Sequence, residues 1–358
     1  MSFLKCLPTV YVIGKEYEIS ITAKTKGLFS AQIGGETFYQ ENTGLLKSEE
    51  NYAKIRVPQS VLNEAEAYEI CFRETVERKE YFSQFKETES VKFAFRPLKK
   101  TRDIKAYHIA DVHFRFELAK KTAAYFGDET DLFIVNGDIG EVRNAQDYFE
   151  VCSFVGEISK GEIPVLFVRG NHDTRGNWAE KYDEYFPVQG KNTYFTFELG
   201  CLNGVALDCG EDKPDSHVEY GGMNVFEIFR RRETEFLKSV ELDKDKIRFS
   251  VCHVCPSLTT FEKGSIFDIE RDVYTKWNEE LERMGMQFMV CGHYHKAFIL
   301  PPDDERNVLP HNYPVIVGSA CFKDEDLWGA ALIINPEGVE VRFTDKDKAV
   351  KESHYIKL

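Results

Sequence analysis

The sequence predicts a protein of the α/β (α+β) class, with a small all-β sandwich-like domain at residues 1–97 and a mixed domain of strands and helices at residues 98–358. Three observations lead to this prediction. The chain of 358 residues exceeds the usual size of one domain. Its first part contains short runs in which apolar and polar residues alternate. In its second part, apolar runs of strand length alternate with segments of helical periodicity, which is typical of a largely parallel sheet.

The first part is predicted to consist of short strands joined by turns. Apolar and polar residues alternate at residues 17–21, 53–57 and 68–72, and Gly, Pro and Asn separate these runs. Strands of this length and spacing are typical of a small β-sandwich. The segment contains no histidine and no group of metal-binding residues, so we predict a packing or partner module. A charged linker at residues 97–102 marks the predicted boundary.

The second part is predicted to alternate strands with helices. In residues 148–158, Tyr148, Cys152 and Val155 fall on one helical face, and Gly161 follows as a stop. Residues 226–240 and 274–286 have the same periodicity, and residues 331–343 are predicted to form a hairpin. The predicted strands of the main sheet lie at residues 104–110, 132–135, 165–168, 249–252, 288–291 and 315–317.

The composition indicates which class of function is disfavoured and in which cell compartment the protein is expected. The chain carries 46 basic and 60 acidic residues, a net charge of −14, which disfavours a general nucleic-acid binder. Nine scattered cysteines, mostly in apolar runs, indicate buried free thiols in a reducing compartment. The N-terminus does not resemble a secretory signal, and no apolar run approaches the ~18 residues that span a bilayer. We therefore expect a cytoplasmic protein without a membrane partner, in an oligomeric state that the sequence leaves open.

Polar residues recur directly after the apolar runs of the second part, where open α/β sheets bind their ligands. One such group, Asn-His-Asp after a glycine, is also typical of an ordinary turn. Five consecutive groups that contain five of the nine histidines are not explained by solvated turns. The groups are Asp111-Val112-His113, Gly137-Asp138, Gly170-Asn171-His172-Asp173, His253 and Gly292-His293-Tyr294-His295.

These side chains predict a pair of divalent metal ions. Imidazole nitrogens, carboxylate oxygens and an amide oxygen form a mixed donor set that suits Mn, Fe, Zn or Co rather than Ca or Mg. Side chains two residues apart on an extended strand end point the same way, so Asp111 and His113 can bind one ion or both. Asp138 stands alone on its strand and has two carboxylate oxygens, which makes it the natural bridging ligand.

In these five ordered blocks the chain resembles the calcineurin-like metallophosphoesterase superfamily, whose blocks read D-x-H, G-D, G-N-H-D/E, H and G-H-x-H. The resemblance covers roughly residues 104–345 and implies two stacked mixed sheets flanked by helices. It also implies that His172 lies over the substrate as the general acid and that Asp173 orients it. By the resemblance, the first metal is bound by Asp111, His113, Asp138 and His295. The second is bound by Asp138, Asn171, His253 and His293.

The motifs of this chain differ from those of two branches of the superfamily. A β-domain before the catalytic domain is similar to the arrangement in purple acid phosphatases. Those enzymes have glycine where this chain has His113 and a metal-binding tyrosine where it has Glu141, so a purple iron site is disfavoured. The run Ile139-Gly140-Glu141-Val142 replaces the Asp-Arg-Gly of Ser/Thr protein phosphatases, so that branch is disfavoured as well.

The resemblance implies a metal-dependent phosphoric ester hydrolase in which a hydroxide bridging two divalent transition-metal ions attacks phosphorus. The substrate would be a small-molecule phosphate ester rather than a nucleic acid, and a phosphomonoester is slightly preferred. A phosphodiesterase of the cyclic-nucleotide or glycerophosphodiester type is the first alternative. The second is a non-catalytic metal-binding scaffold, because fold does not guarantee function.

Three further features have alternative interpretations. The segment 209–222 is long for a connector, so it is either a substrate-binding loop or a solvated surface loop. Cys252 and Cys255 form a C-x-x-C pair, but no second pair lies at matching spacing, which favours packing thiols. His108 precedes the first block at an odd spacing and is predicted to be structural.

Overall fold

The computed structural model describes residues 3–258, 264–322 and 325–358. The strands are β1 (Thr9–Ile13), β2 (Glu16–Thr22), β3 (Gly27–Ile33), β4 (Glu36–Tyr39), β5 (Glu41–Asn42), β6 (Leu45–Leu46), β7 (Tyr52–Pro58), β8 (Ala67–Glu77), β9 (Gln84–Phe85), β10 (Glu89–Ala94), β11 (Ile104–Ile109), β12 (Leu132–Asn136), β13 (Pro164–Val168), β14 (Phe195–Leu199), β15 (Leu202–Leu207), β16 (Ile247–Cys252), β17 (Phe288–Cys291), β18 (Lys296–Leu300), β19 (Val315–Phe322), β20 (Asp326–Asn335), β21 (Gly338–Thr344) and β22 (Val350–Lys357). The helices are α1 (Gln59–Ala65), α2 (Phe116–Ala123), α3 (Ala145–Ser159), α4 (Tyr182–Tyr185), α5 (Phe226–Ser239) and α6 (Arg271–Arg283).

The main sheet follows the order β14-β15-β16-β17-β19-β20-β11-β12-β13-β1-β2-β7. Strands β11, β12 and β13 are parallel to one another, and so are β15, β16, β17 and β19. Strand β20 is antiparallel to both β19 and β11 and joins the two parallel sets. The predicted strands and helices of the second part are confirmed, including the hairpin of β20 and β21 over Asn335 and Gly338.

The two parallel sets stack as two layers with helices on their outer faces. Fully buried Ile134 and Leu166 of one layer share a core cluster with Phe249 and Val290 of the other. The outer face of the β11–β13 layer packs against α3, and the outer face of the β15–β19 layer packs against α5 and α6. The predicted two-sheet sandwich flanked by helices is therefore confirmed.

Helix α3 illustrates why the sequence folds this way locally. The side chain of Asn144 caps it by accepting hydrogen bonds from the backbone N–H groups of Gln146 (2.8 Å) and Asp147 (3.2 Å). The helix ends at Lys160, which has a left-handed conformation (φ 58°), and Gly161 follows. The face predicted from the spacing of Tyr148 and Val155 is buried.

Strands of the N-terminal segment extend the main sheet. Strand β1 is parallel to β13, with Tyr11 opposite Val165, and β2 and β7 continue the sheet beyond it. Strands β3, β4, β8, β9 and β10 form a separate five-stranded sheet. Hydrogen bonding thus crosses the boundary placed at residue 97, and the division into two domains stays a prediction.

The predictions for the cysteines and for His108 have structural counterparts. All nine cysteines are free thiols, and Cys252 and Cys255 are buried packing residues, as predicted. His108 is fully buried, also as predicted for a structural residue. No helix in the described ranges is long and apolar enough to cross a membrane.

Candidate metal centre

The five polar groups meet where the parallel strands end. Asp111, Asp138 and Asn171 follow β11, β12 and β13 in one layer, whereas His253 and His293 follow β16 and β17 in the other. The carboxyl ends of parallel strands lie at the same edge of a sheet, so both layers deliver their side chains to one edge of the sandwich. All seven residues predicted as metal ligands are brought together there, as the following distances show.

Two clusters of donor atoms share the centre. In the first, Nε2 of His295 lies 3.4 Å from Oδ1 of Asp111 and 3.4 Å from Nε2 of His113. In the second, Nε2 of His253 lies 3.1 Å from Oδ2 of Asp138. Nδ1 of His293 is 3.1 Å from Oδ1 of Asn171 at the edge of the second cluster. Within each triad Asp111/His113/His295 and Asp138/His253/His293, the donor atoms all lie within 4.8 Å of one another.

Asp138 lies between the two clusters. Its Oδ2 is 3.9 Å from Nε2 of His113 in the first cluster and 3.1 Å from Nε2 of His253 in the second. Its Oδ1 accepts a hydrogen bond from the backbone N–H of His172 at 2.8 Å. The carboxylate is 1% exposed, so it is oriented by protein atoms rather than by solvent.

The backbone that presents these side chains has an uncommon conformation. Asp111, His113, Asp138, His293 and His295 have φ values between 46° and 72°, in the left-handed region that residues other than glycine rarely adopt. Conformations of this kind cluster at functional sites, where the surrounding structure enforces them.

Close packing of the strand ends explains the glycines of the blocks. A Cβ on Gly170 would lie 2.3 Å from Oδ1 of Asp138, and one on Gly137 would lie 2.6 Å from Nδ1 of His253. Both positions therefore require glycine, because any side chain would displace the carboxylate of Asp138 or the ring of His253.

Asp173 forms hydrogen bonds with the backbone of two turns. Its Oδ2 accepts hydrogen bonds from the backbone N–H groups of Asp138 (2.9 Å) and Gly170 (2.8 Å), and its Oδ1 from those of Ile139 (3.2 Å) and Gly140 (3.4 Å). None of these hydrogen bonds reaches the ring of His172, so the expectation that Asp173 orients this ring stays a prediction. The carboxylate holds the turn after β12 against the turn after β13, because its oxygens bind the backbone of both.

The ring of His172 has two other partners. Its Nδ1 lies 2.6 Å from Oε1 of Glu141, and its Nε2 lies 3.2 Å from Nη1 of Arg175. The ring also packs edge-on against His113 at a centroid distance of 4.9 Å, beside the first cluster. Sequence reasoning compared Glu141 only with a tyrosine of related enzymes and did not single out Arg175, since neither lies at a block position.

Burial and neighbouring charges shift the pKa values of the side chains at the centre. Burial raises the pKa of Asp111 to about 7, with the charge of Asp138 adding to the effect. Burial lowers the pKa of His293 and of His113 to about 4. Burial acts in the same direction on His253, but the negative charge of Asp138 outweighs it and raises that pKa to about 10.

The donor set fits divalent cations. The Nε2 atom of His253 is buried, lies 3.1 Å from Oδ2 of Asp138 and forms no well-aligned hydrogen bond in the described structure. Buried polar atoms are normally hydrogen bonded, so an imidazole nitrogen of this kind beside a carboxylate is suited to bind a cation. Imidazole and carboxylate donors at this spacing are those that transition metals bind.

A pocket of about 860 Å³ adjoins Arg175, the residue whose Nη1 contacts the ring of His172. Arg175, Glu211, Tyr220, Met223 and Phe226 contribute to its walls. The segment 209–222, which the sequence left open between a binding loop and a solvated loop, lines this pocket and also reaches the centre, since Oδ2 of Asp212 lies 3.9 Å from Nε2 of His293.

Comparison with known proteins agrees with this geometry. Residues 104–297, more than half of the chain, match the calcineurin-like phosphoesterase family, so the chain belongs to this family. It is a metal-dependent phosphoester hydrolase by family and fold. No curated protein matches the sequence.

Two solved structures resemble the whole chain. The purple acid phosphatase from seeds of yellow lupin (Lupinus luteus) aligns over 98% of this chain and 74% of its own, with a TM-score of 0.62 and 12% identity. The structure of PhoD aligns over 98% of this chain and 91% of its own, with a TM-score of 0.53 and 9% identity. At these identities the likeness concerns the fold alone. It includes the N-terminal strands and confirms the predicted similarity to purple acid phosphatases in architecture.

Proposed function

We propose that the protein hydrolyses phosphomonoesters at a dinuclear metal centre. In this proposal Asp111, His113 and His295 bind one cation, and Asn171, His253 and His293 bind the other. Asp138 bridges them. The observation that supports it most directly is the position of the Asp138 carboxylate, which belongs to the triad with His253 and His293 and whose Oδ2 lies 3.9 Å from Nε2 of His113 in the other triad.

The metals would supply charge and a nucleophile, and the protein would supply geometry. Two divalent ions from the group Mn, Fe, Zn and Co would lower the pKa of a bound water and neutralise the phosphoryl oxygens. The left-handed strand ends and the Asp173 hydrogen bonds hold the backbone that carries the donor side chains in place. Such preorganisation avoids reorganising the site during the reaction.

His172 would act on the leaving group. Glu141 would accept the proton of Nδ1 and thereby fix the ring, and Nε2, which lies 3.2 Å from Nη1 of Arg175, would take up its own proton when that contact is released. Nε2 would then donate this proton to the oxygen that leaves phosphorus, as a general acid does. Glu141 takes the orienting role that the sequence analysis assigned to Asp173.

A phosphodiester is the second candidate substrate, and the pocket beside Arg175 favours it. A diester carries a second organic group, and about 860 Å³ is within the range of small-molecule sites. A non-catalytic scaffold is disfavoured because all seven ligand positions and His172 are filled by metal-binding or proton-transferring residues.

Metal analysis and a substrate panel test the proposal together. Protein reconstituted separately with Mn, Zn, Fe and Co should bind close to two ions per chain and hydrolyse nitrophenyl phosphate faster than bis-nitrophenyl phosphate. Asp138→Asn should weaken both sites and abolish turnover, whereas Asp304→Asn, which alters an ion pair with Arg306, serves as the control. At most one ion per chain in the reconstituted wild type would refute the dinuclear centre. Two ions without turnover on either ester would favour the scaffold.

A further inference from the structure

Arg175 stands at the border between the metal centre and the pocket. It follows the short 3-10 turn His172–Thr174, and its side chain is 30% exposed. Its Nε donates to Oε1 of Glu211 at 2.7 Å, and its Nη2 donates to Oε2 of the same carboxylate at 2.8 Å. The third nitrogen, Nη1, lies 3.2 Å from Nε2 of His172. One side of the guanidinium is therefore held by a carboxylate while the other faces the proposed proton donor.

The carboxylate of Glu211 is itself held in place. It is 1% exposed and also accepts hydrogen bonds from Oγ1 of Thr174 and the hydroxyl of Tyr220, each at 3.1 Å. The backbone oxygen of Glu211 accepts from the fully buried Arg230, whose Nη1 donates to Glu270 at 2.8 Å. A bidentate pair supported in this way keeps the guanidinium oriented without a ligand.

Nη1 of Arg175 has a weaker partner than the substrate would offer. A guanidinium only donates, so Nε2 of His172 accepts this hydrogen bond in the substrate-free protein. A phosphoryl oxygen carries negative charge, and hydrogen bonds between two charged groups are roughly twice as strong as neutral ones. An ester bound beside His172 would therefore take this donor, and its organic group could extend into the adjoining pocket.

We propose that Arg175 is a substrate-binding residue that donates from Nη1 to an unesterified phosphoryl oxygen and thereby favours phosphomonoesters over phosphodiesters. The inference rests on the proposed function. A monoester has one more unesterified, charged oxygen than a diester and gains this contact in addition to those with the metals and His172. Arg115, another arginine near the centre, instead uses its side chain to donate to the backbone oxygens of Asp111 and Val112.

Arg175→Ala and Arg175→Lys in the full-length, metal-loaded protein test the inference. Arg175→Ala should retain both metals, lose about 10- to 100-fold in kcat/KM on nitrophenyl phosphate and lose clearly less on bis-nitrophenyl phosphate. Its affinity for inorganic phosphate, measured by calorimetry, should fall by a similar factor, and added methylguanidine should restore part of the monoester rate. Arg175→Lys should recover only part, because an ammonium lacks the fork that binds Glu211.

Arg143→Ala is the matched control, since Arg143 also forms an Arg–carboxylate pair, with Asp147, and follows Glu141 closely in the chain. It should leave both rates and phosphate affinity unchanged. Equal losses on both esters with unchanged phosphate affinity would show that Arg175 only ties two loops together, and would overturn the inference. If Arg175→Ala loses metal or unfolds, the same comparison made with Arg175→Gln decides. If the wild type hydrolyses neither ester, the proposed function fails, and the phosphate titration alone decides on Arg175.

Discussion

Replacing Asp173 by asparagine tests whether this residue holds the strand ends or serves the catalytic histidine. The substitution preserves size but replaces one carboxylate oxygen by an amide group that cannot accept a hydrogen bond. The amide will face the longer pair of contacts, to the N–H groups of Ile139 (3.2 Å) and Gly140 (3.4 Å), because the pair to Asp138 and Gly170 is shorter. Two backbone donors then lose their acceptor in a buried turn.

The expected loss of stability follows from those two unpaired backbone donors. A buried donor left without an acceptor costs about 1–3 kcal/mol, and part of this is recovered when the turn relaxes. We therefore expect the free energy of unfolding of Asp173→Asn, measured by urea denaturation, to fall by about 2–4 kcal/mol. Relaxation of the turn moves Asp138 and Asn171, so metal affinity should fall by about 10- to 100-fold, as for other residues that orient metal ligands.

Asp345→Asn provides the matched control. Asp345 is also a buried carboxylate in a turn, where its Oδ1 accepts from the backbone N–H groups of Asp347 and Ala349 at 2.9 Å each. Asp345→Asn should lower the free energy of unfolding without changing metal content or turnover. The reasoning would be refuted if Asp173→Asn kept its stability and both metals and yet lost as much rate as His172→Ala, since Asp173 would then act through the histidine.

Three further predictions concern the catalytic mechanism, the pH dependence of metal binding and the N-terminal strands. His172→Ala should keep both metals and lose about 10²–10⁴-fold on an alkyl phosphate but clearly less on a nitrophenyl ester, whose leaving group needs no proton; equal losses would mean that His172 only positions the phosphoryl group. Because the pKa of His253 is raised to about 10, its ring is protonated at pH 8 and must release a proton to bind metal, so affinity should rise with pH up to that value. Calorimetric Mn²⁺ titrations in Tris and HEPES should show this proton release, and identical heats in both buffers would contradict it. Removal of residues 1–97 should lower Tm and metal content because β1 covers the edge of β13, which leads into Asn171; a truncated chain of unchanged Tm with both metals would contradict the coupling.

The sequence predicted which residues meet at one edge of the sheet, because they follow strands that are easy to recognise. Runs such as those before Asp138 and Asn171 are apolar, short and followed by glycine, and topology alone then brings their ends to one edge of the sheet. The partners of His172 could not be predicted in this way. Glu141 and Arg175 reach the ring through turns whose conformation depends on tertiary contacts, including the pairing of Arg175 with Glu211.

The N-terminal segment shows a second limit of sequence reasoning. Alternation at residues 17–21 predicted a strand, and strand β2 is present there. Its charged residue Glu18 is nevertheless only 2% exposed, because Arg56 on the neighbouring strand donates to it at 2.7 Å. A charge at an alternating position indicates solvent unless a partner lies across the sheet, and that partner is far away in sequence. Strand β1 is buried along its whole length, and its partner β13 is likewise far away in sequence. Alternation therefore could not place β1 in the main sheet.

The order of strands in the main sheet has a consequence for biosynthesis. Strand β20 lies between β19 and β11, so that Ile104 pairs with Ile334 near the other end of the described chain. Strands β11, β12 and β13 leave the ribosome long before β17 and β20, and pairing over such sequence distances is slow. Until the late strands arrive, the early ones expose apolar edges and carry only part of the donor set. We therefore expect the nascent chain to depend on chaperones and to acquire its metals only after synthesis of β20.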